Sequence, residues 1–250
     1  MTPQIPAYLT AFESAVRPFV AAIALGLIWM GALRMEGPAP SRYTTAGVLS
    51  VTLFAWLAIA QYLGAANLYF ATSDTAVPTL LLALAIPLTI AAAGLRLSGA
   101  IANLVAAIPL PWIVAAQVYR VGGGIFLVLW ADGRLPWQFA LPAGIGDVMT
   151  GGLAVVVAAR LAQNAAGARS AVYAWCLFGI ADLVVAVTMG AMTSPGRPHL
   201  LAFEAPNLLI TSWPLVMIPT FAVPLALTLH GIVLWRLRRE TASKGRLAAA

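Results

Sequence analysis

Charge is scarce in this chain. Asp, Glu, Lys and Arg make up 9% of its 250 residues, where a soluble domain carries about 25%. With 62% hydrophobic residues and a mean hydropathy of +0.92, that shortage excludes a soluble globular fold. Cysteine is nearly absent: Cys176 stands alone, so no disulfide can form within the chain and no cysteine metal cluster is possible. Lysine occurs once, at Lys244 near the C-terminus, so no lysine at membrane depth can carry a Schiff base. The two histidines, His199 and His230, read as a loop residue and a helix-end residue, too few and too scattered for a haem or zinc site. No HExxH, GxSxG or Gly-Lys-Ser/Thr phosphate loop occurs,. No metal and no cofactor is expected, and an enzyme is the less favoured class. The opening residues lack a basic stretch and hold two prolines, so they do not read as a cleaved signal peptide.

What the chain has is long apolar runs. A membrane-spanning helix needs about 20 mostly apolar residues. Seven stretches qualify: Arg17–Leu33, Gly47–Gly64, Val77–Leu95, Pro111–Ala131, Pro142–Leu161, Ala171–Met192 and Pro206–Trp235. The stretch Ser98–Leu110 is too short to cross and ends in two prolines. It reads as an interfacial or half-inserted helix before the fourth span. The expected architecture is an all-α integral membrane protein, a single seven-helix bundle over residues 1–239, followed by a disordered cytoplasmic tail over 240–250.

The net charge of +6 is a topology signal, not a nucleic-acid patch. Under seven spans, ten of the fourteen basic residues fall on the side of the C-terminus. Arg17, Arg134 and Arg197 fall on the other. Positive charge favours the cytoplasmic side, which puts the N-terminus outside and the C-terminus in the cytoplasm. A multi-pass protein of the cytoplasmic (inner) membrane is expected, with the lipid bilayer as its partner and no nucleic acid. Tryptophans at predicted span ends, Trp112, Trp130, Trp137, Trp213 and Trp235, fit an interfacial belt.

Against this background three ionisable residues stand out inside apolar runs: Arg120, Asp147 and Asp182. Ionisable groups at membrane depth are costly unless paired or wetted, and often mark a functional pathway. Counting from the span ends puts Arg120 and Asp182 near mid-membrane and Asp147 in the outer half. Gln117 and Arg120 share a helix face. Gly122, Gly123 and Gly124 follow directly. On the fifth span Ala143, Gly144, Asp147, Gly151, Ala154 and Ala158 form a stripe of small residues, of the kind that lets helices approach closely in lipid. The expected site is Arg120 paired with Asp147, Asp182 or both, with the glycines as packing surfaces.

The seventh span carries Pro214, Pro219 and Pro224. Each releases a carbonyl four residues back, which needs another partner in a membrane. One reading is a bent helix lining a wet cavity with Thr211, Ser212 and Thr220; the other is plain curvature. Gln61 and Tyr62 close the second span on the outer side and are added as cavity lining. Leu135–Asp147 reads either as a segment dipping into the outer leaflet or as a tight helix connection. Function then divides three ways: a carrier or channel-like protein for a small solute, ion or proton; an accessory subunit packed against a membrane-protein partner or a second copy of itself; or a membrane enzyme acting on a lipid-like substrate. A pore reaching the site, a dry core, or a lipid-side opening would separate them.

Overall fold

A computed structural model describes residues 3–72 and 79–248, with side chains as far as Thr241. The described residues are helical or irregular, without strands. The first helices are α1 (Ala7–Arg34), α2 (Ala39–Ala65) and α3 (Thr79–Leu97). A nine-residue α4 (Gly99–Ala107) and α5 (Leu110–Ala116) follow. A 3-10 segment, Gln117–Gly124, joins α5 to α6 (Ile125–Ala131), and the three together make one membrane-length rod. Then come α7 (Trp137–Ala162), α8 (Ala168–Thr193), a π turn at Ile218–Ala222, and α9 (Val223–Ala248). Seven helices are long and apolar enough to cross a membrane. The described residues form an all-helical fold compatible with a multi-pass membrane protein.

Local chemistry explains most boundaries. The Ser98 hydroxyl caps α4 by accepting from the Ile101 N–H (3.3 Å), and Pro109 and Pro111 separate α4 from α5, as a residue without an N–H must. Gly31 brings α1 against α4. A Cβ there would lie 2.7 Å from the Leu104 carbonyl.

Several expected bounds move. The first span begins at Ala7, not Arg17, so Glu13 and Arg17 lie inside it. The expected start of the third span at Val77 lies outside the described residues. Leu135–Asp147 does not dip into a leaflet: α7 starts at Trp137 with Pro142 inside it, leaving only a short turn after α6. Asp147 is therefore near mid-span rather than in the outer half. The seventh span is shorter at its start, Ile218–Thr241. Residues 206–217 are irregular apart from the 3-10 turn Leu209–Thr211, whose Ile210 N–H is held by the Asn207 side chain (3.2 Å). Prolines in this stretch cannot donate to a helical ladder. At the other end, α9 continues to Ala248, where a disordered tail from residue 240 was expected. Ala, Lys, Arg and Leu in that stretch are good helix formers.

Packing is uneven along the chain. The α7 helix lies against α5, the 3-10 segment, α6 and α8, and α8 lies against α9. In contrast α3 rests on α9 and α4 with no residue fully buried, while α2 rests on α1 and α4.

Candidate functional site

The 3-10 segment that carries Arg120 has a sequence cause and a packing cause. Gly122, Gly123 and Gly124 weaken the α-helix at that point. Side chains then tie the segment to α9 and the π turn: the Gln117 amide donates to the Ala226 carbonyl (2.9 Å) and the Tyr119 hydroxyl to the Ala222 carbonyl (3.1 Å). Both 3-10 stretches within a helix and π turns recur at functional positions.

Arg120 is 3% exposed and its guanidinium is engaged on every side. Nε donates to Asp147 Oδ1 (2.8 Å), and Nη2 donates to Asp182 Oδ2. Nη1 donates to the Gly179 carbonyl (3.2 Å) and lies 3.3 Å from His230 Nε2. A guanidinium only donates, so His230 accepts at Nε2 and carries its proton on Nδ1. Four spans thus meet at one node, Arg120 from the fourth, Asp147 from α7, Asp182 from α8 and His230 from α9.

Three glycines make room for it. A Cβ on Gly123 would strike the Asp147 carboxylate, one on Gly146 the Asp182 carboxylate, and one on Gly179 would sit 2.5 Å from His230 Nε2. The imidazole also lies against the Trp175 ring, 4.7 Å between centroids, and the Trp175 indole donates to the Thr150 carbonyl (2.9 Å). Three buried polar atoms around the node have no hydrogen-bond partner among the described residues: Gln117 Oε1, Thr150 Oγ1 and His230 Nδ1. Buried polar atoms are rarely left so.

The node is not sealed throughout. Asp147 is 8% exposed and lines a cleft of about 140 Å³. Phe139, Thr211 and Pro219 also border it, as do Tyr69, just after α2, and Arg197, between α8 and α9. Among the described residues no group of three or more His, Cys, Asp and Glu forms a metal-ligand cluster. Arg120 itself occupies the centre where such an ion would sit.

The other expected positions divide. Thr211 is buried and borders the cleft. Ser212 is buried and donates to the Leu208 carbonyl (2.7 Å). Thr220 is buried and borders a different, apolar groove, and its carbonyl, freed by Pro224, accepts the Trp56 indole N–H (3.0 Å). The carbonyl freed by Pro219, that of Leu215, accepts from the Ile218 N–H (3.0 Å). Gln61 and Tyr62 are exposed on the outside of α2 and do not line the cleft. The buried face of that helix runs through Leu53, Ala60 and Gly64, and Gln61 is rotated about 100° from Ala60. Among the packing glycines, Gly144 abuts Leu127 and Gly151 abuts Val121 N, at 2.7 and 2.6 Å from a built Cβ. Gly124 faces Val148 and Gly122 faces Phe12.

Sequence reasoning missed His230, Gly146, Gly179 and Thr150. The signal for His230 was present: once Pro206–Met217 is denied to the helix, His230 moves from near a helix end to mid-span. Glu13, buried inside α1 with Oε1 unpartnered, was missed because the first span was started too late.

The chain belongs to the family described as domain of unknown function DUF8737, whose model matches residues 77–238. The match runs through α3 to α9 and includes all four residues of the node; α1 and α2 lie outside it. No curated protein matches the chain, and no solved structure matches it.

Proposed function

We propose that this protein is a carrier of the cytoplasmic (inner) membrane for a proton or small cation, with the Arg120 node as its mid-membrane station. One observation carries the reading: Asp147 holds Arg120 on one side and borders the cleft toward the loops on the other. Two aspartates face one arginine and a neutral histidine, so the node holds one surplus negative charge. A low-dielectric site favours balancing that charge with a proton or cation. The unpartnered Thr150, Gln117 and His230 atoms supply the further polar contacts that a hydrated ion or proton relay would use. The N-terminus is assigned outside and the C-terminus inside from the basic residues, so the cleft faces outward. By the same assignment α4 lies at the cytoplasmic interface.

The test is flux. The purified protein in liposomes loaded with a pH-sensitive dye is expected to dissipate an imposed proton or sodium gradient, and Asp147→Asn to abolish that flux while remaining folded. Wild-type liposomes as tight as empty ones to both ions would reject the reading.

A second reading has its own support. Every nitrogen of Arg120 is occupied by protein, as suits a bolt that fixes helix register in an accessory subunit. The lipid-enzyme reading has less: it needs the carboxylates beside a lipid-facing opening, and the wide apolar groove is bordered by neither aspartate.

A further inference from the structure

A large cavity lies away from the node, and neither aspartate borders it. It has about 1260 Å³, above the roughly 300–1,000 Å³ of ordinary small-molecule pockets. It runs between α2 and α3, which both touch α4 but lean mainly on α1 and on α9 respectively and leave a gap. Its floor is α9 with parts of α1 and α4. From Thr79 to Arg96 it follows α3 for about 26 Å at helical rise, close to the ~30 Å hydrocarbon depth of a bilayer. Among the described residues no acidic residue borders it.

The helix α9 separates the two sites by its own periodicity. Leu225, Thr228, Ile232 and Trp235 border the groove, while the Ala226 carbonyl meets Gln117 and His230 meets Arg120. Along its length the threonine hydroxyls are spent on carbonyls four residues back: Thr52 donates to Val48, Thr220 to Val216 and Thr228 to Pro224; Tyr69 and Thr79 border the end near the start of α3. The body of the groove therefore offers hydrocarbon contact alone. Among the described residues its charge is concentrated at one end, where Arg96 closes α3 and Arg238 extends from α9, both bordering the groove and both exposed. Neither has an ion pair among the described residues. Other arginines of that side are engaged: Arg236 donates to the Val105 and Ile108 carbonyls, and Arg169 pairs with Glu240.

We infer that this groove is a binding site for one anionic phospholipid of the bilayer, its acyl chains lying between α2 and α3 and its phosphate held by Arg96 and Arg238. A membrane-deep apolar slot with two uncommitted guanidinium groups at one end matches the shape and the charge of that class. Guanidinium pairs with phosphate in bidentate geometry, and basic side chains at a leaflet surface select anionic headgroups. The inference is independent of the proposed transport reading.

Native mass spectrometry of the full chain, released from mixed micelles holding dioleoyl phosphatidylglycerol and dioleoyl phosphatidylcholine in equal amounts, tests it. One retained phosphatidylglycerol per chain, preferred about tenfold, is expected. Arg96→Gln with Arg238→Gln should erase the preference while some lipid of either kind remains. Ala91→Trp, which fills the slot, should remove the retained lipid altogether. Both changes lie on exposed or half-buried surface, and a thermal melt checks that the variants are folded. Equal retention of the two lipids by the wild type, or a preference that survives the double arginine change, would overturn the inference. So would a dimer whose cross-link through Ala91→Cys shows a second copy seated in the groove.

Discussion

Among the described residues two arginine–aspartate clusters, built on arginines fourteen positions apart, live in different physical worlds. Arg134 and Asp132 pair at 2.6 Å in the turn after α6, with side chains 34% and 46% exposed. Arg120 pairs with Asp147 and Asp182 with side chains at most 11% exposed. At the surface, water competes for each charge and the pair contributes little. In the core the guanidinium has no alternative to its protein partners, and the same chemistry becomes an obligation. The contrast teaches that the buried cluster is retained for what it does or what it fixes, because a well-packed apolar core is often as stable as a buried ion pair.

The largest effect should come from breaking that obligation on one side. Asp182→Ala leaves Arg120 short of a partner, and removing one member of a buried pair costs about 3–5 kcal/mol. A thermal melt in detergent should fall by many degrees, with loss of expression as the extreme outcome. The triple replacement Arg120→Met, Asp147→Leu, Asp182→Leu sharpens the point, since removing all three charges should recover most of the loss. A stable triple variant without flux assigns the node to function. A stable variant with full flux reduces it to a structural bolt.

Next come the glycines. Gly146→Ala places a methyl into the Asp182 carboxylate and Gly179→Ala places one against His230, with Thr150 Cγ2 at 2.9 Å. Overpacking of this kind costs about 1–3 kcal/mol. Gly152→Ala, which meets nothing within 4 Å, is the matched control on the same helix and should gain slightly or stay level, as helix propensity dictates. Equal melts for Gly146→Ala and Gly152→Ala would remove the cradle from the description. Trp56→Phe is a comparable break at the π turn. It strips the indole from the Thr220 carbonyl that Pro224 leaves free, and an unsatisfied buried carbonyl costs about 1–3 kcal/mol.

How far this was legible in the sequence depends on what each feature answers to. Helix number and class follow from apolar run length, a local property, and each of the seven candidate stretches overlaps one of the seven membrane-length helices. Helix ends were less legible. Pro206–Met217 is apolar enough to be counted into the seventh span but cannot keep a helical ladder, and hydropathy does not see backbone hydrogen bonds. That misplacement hid His230. The aspartates and Arg120 stood out because charge is rare here. Gly146 and Gly179 did not stand out, because a glycine's role as space for another helix's side chain depends on the pairing of helices. The exposed position of Gln61 shows the reverse error: depth alone was taken as a sign of lining, whereas rotation about the helix axis decides it.

The smallest effect belongs to the surface cluster, and it completes the comparison. Asp132 Oδ2 accepts from Arg134 Nε (2.6 Å) and from the Tyr8 hydroxyl (3.0 Å), while Arg134 Nη1 donates to the Gln4 carbonyl (3.1 Å). The Arg134 hydrogen bond first, then that of Tyr8, holds the Asp132 carboxyl below its ordinary range. A carboxylate with a depressed folded value stabilises above the ordinary carboxylate range and loses that contribution as pH falls through the lowered value. Asp132→Asn should therefore melt within error of the wild type or marginally below it at neutral pH. Any gap should close in strongly acidic buffer, where both side chains are uncharged. A neutral-pH loss as large as that of Asp182→Ala would mean that exposure does not separate the two clusters. The obligation would then lie in tying the N-terminal segment to the α6–α7 turn rather than in burial.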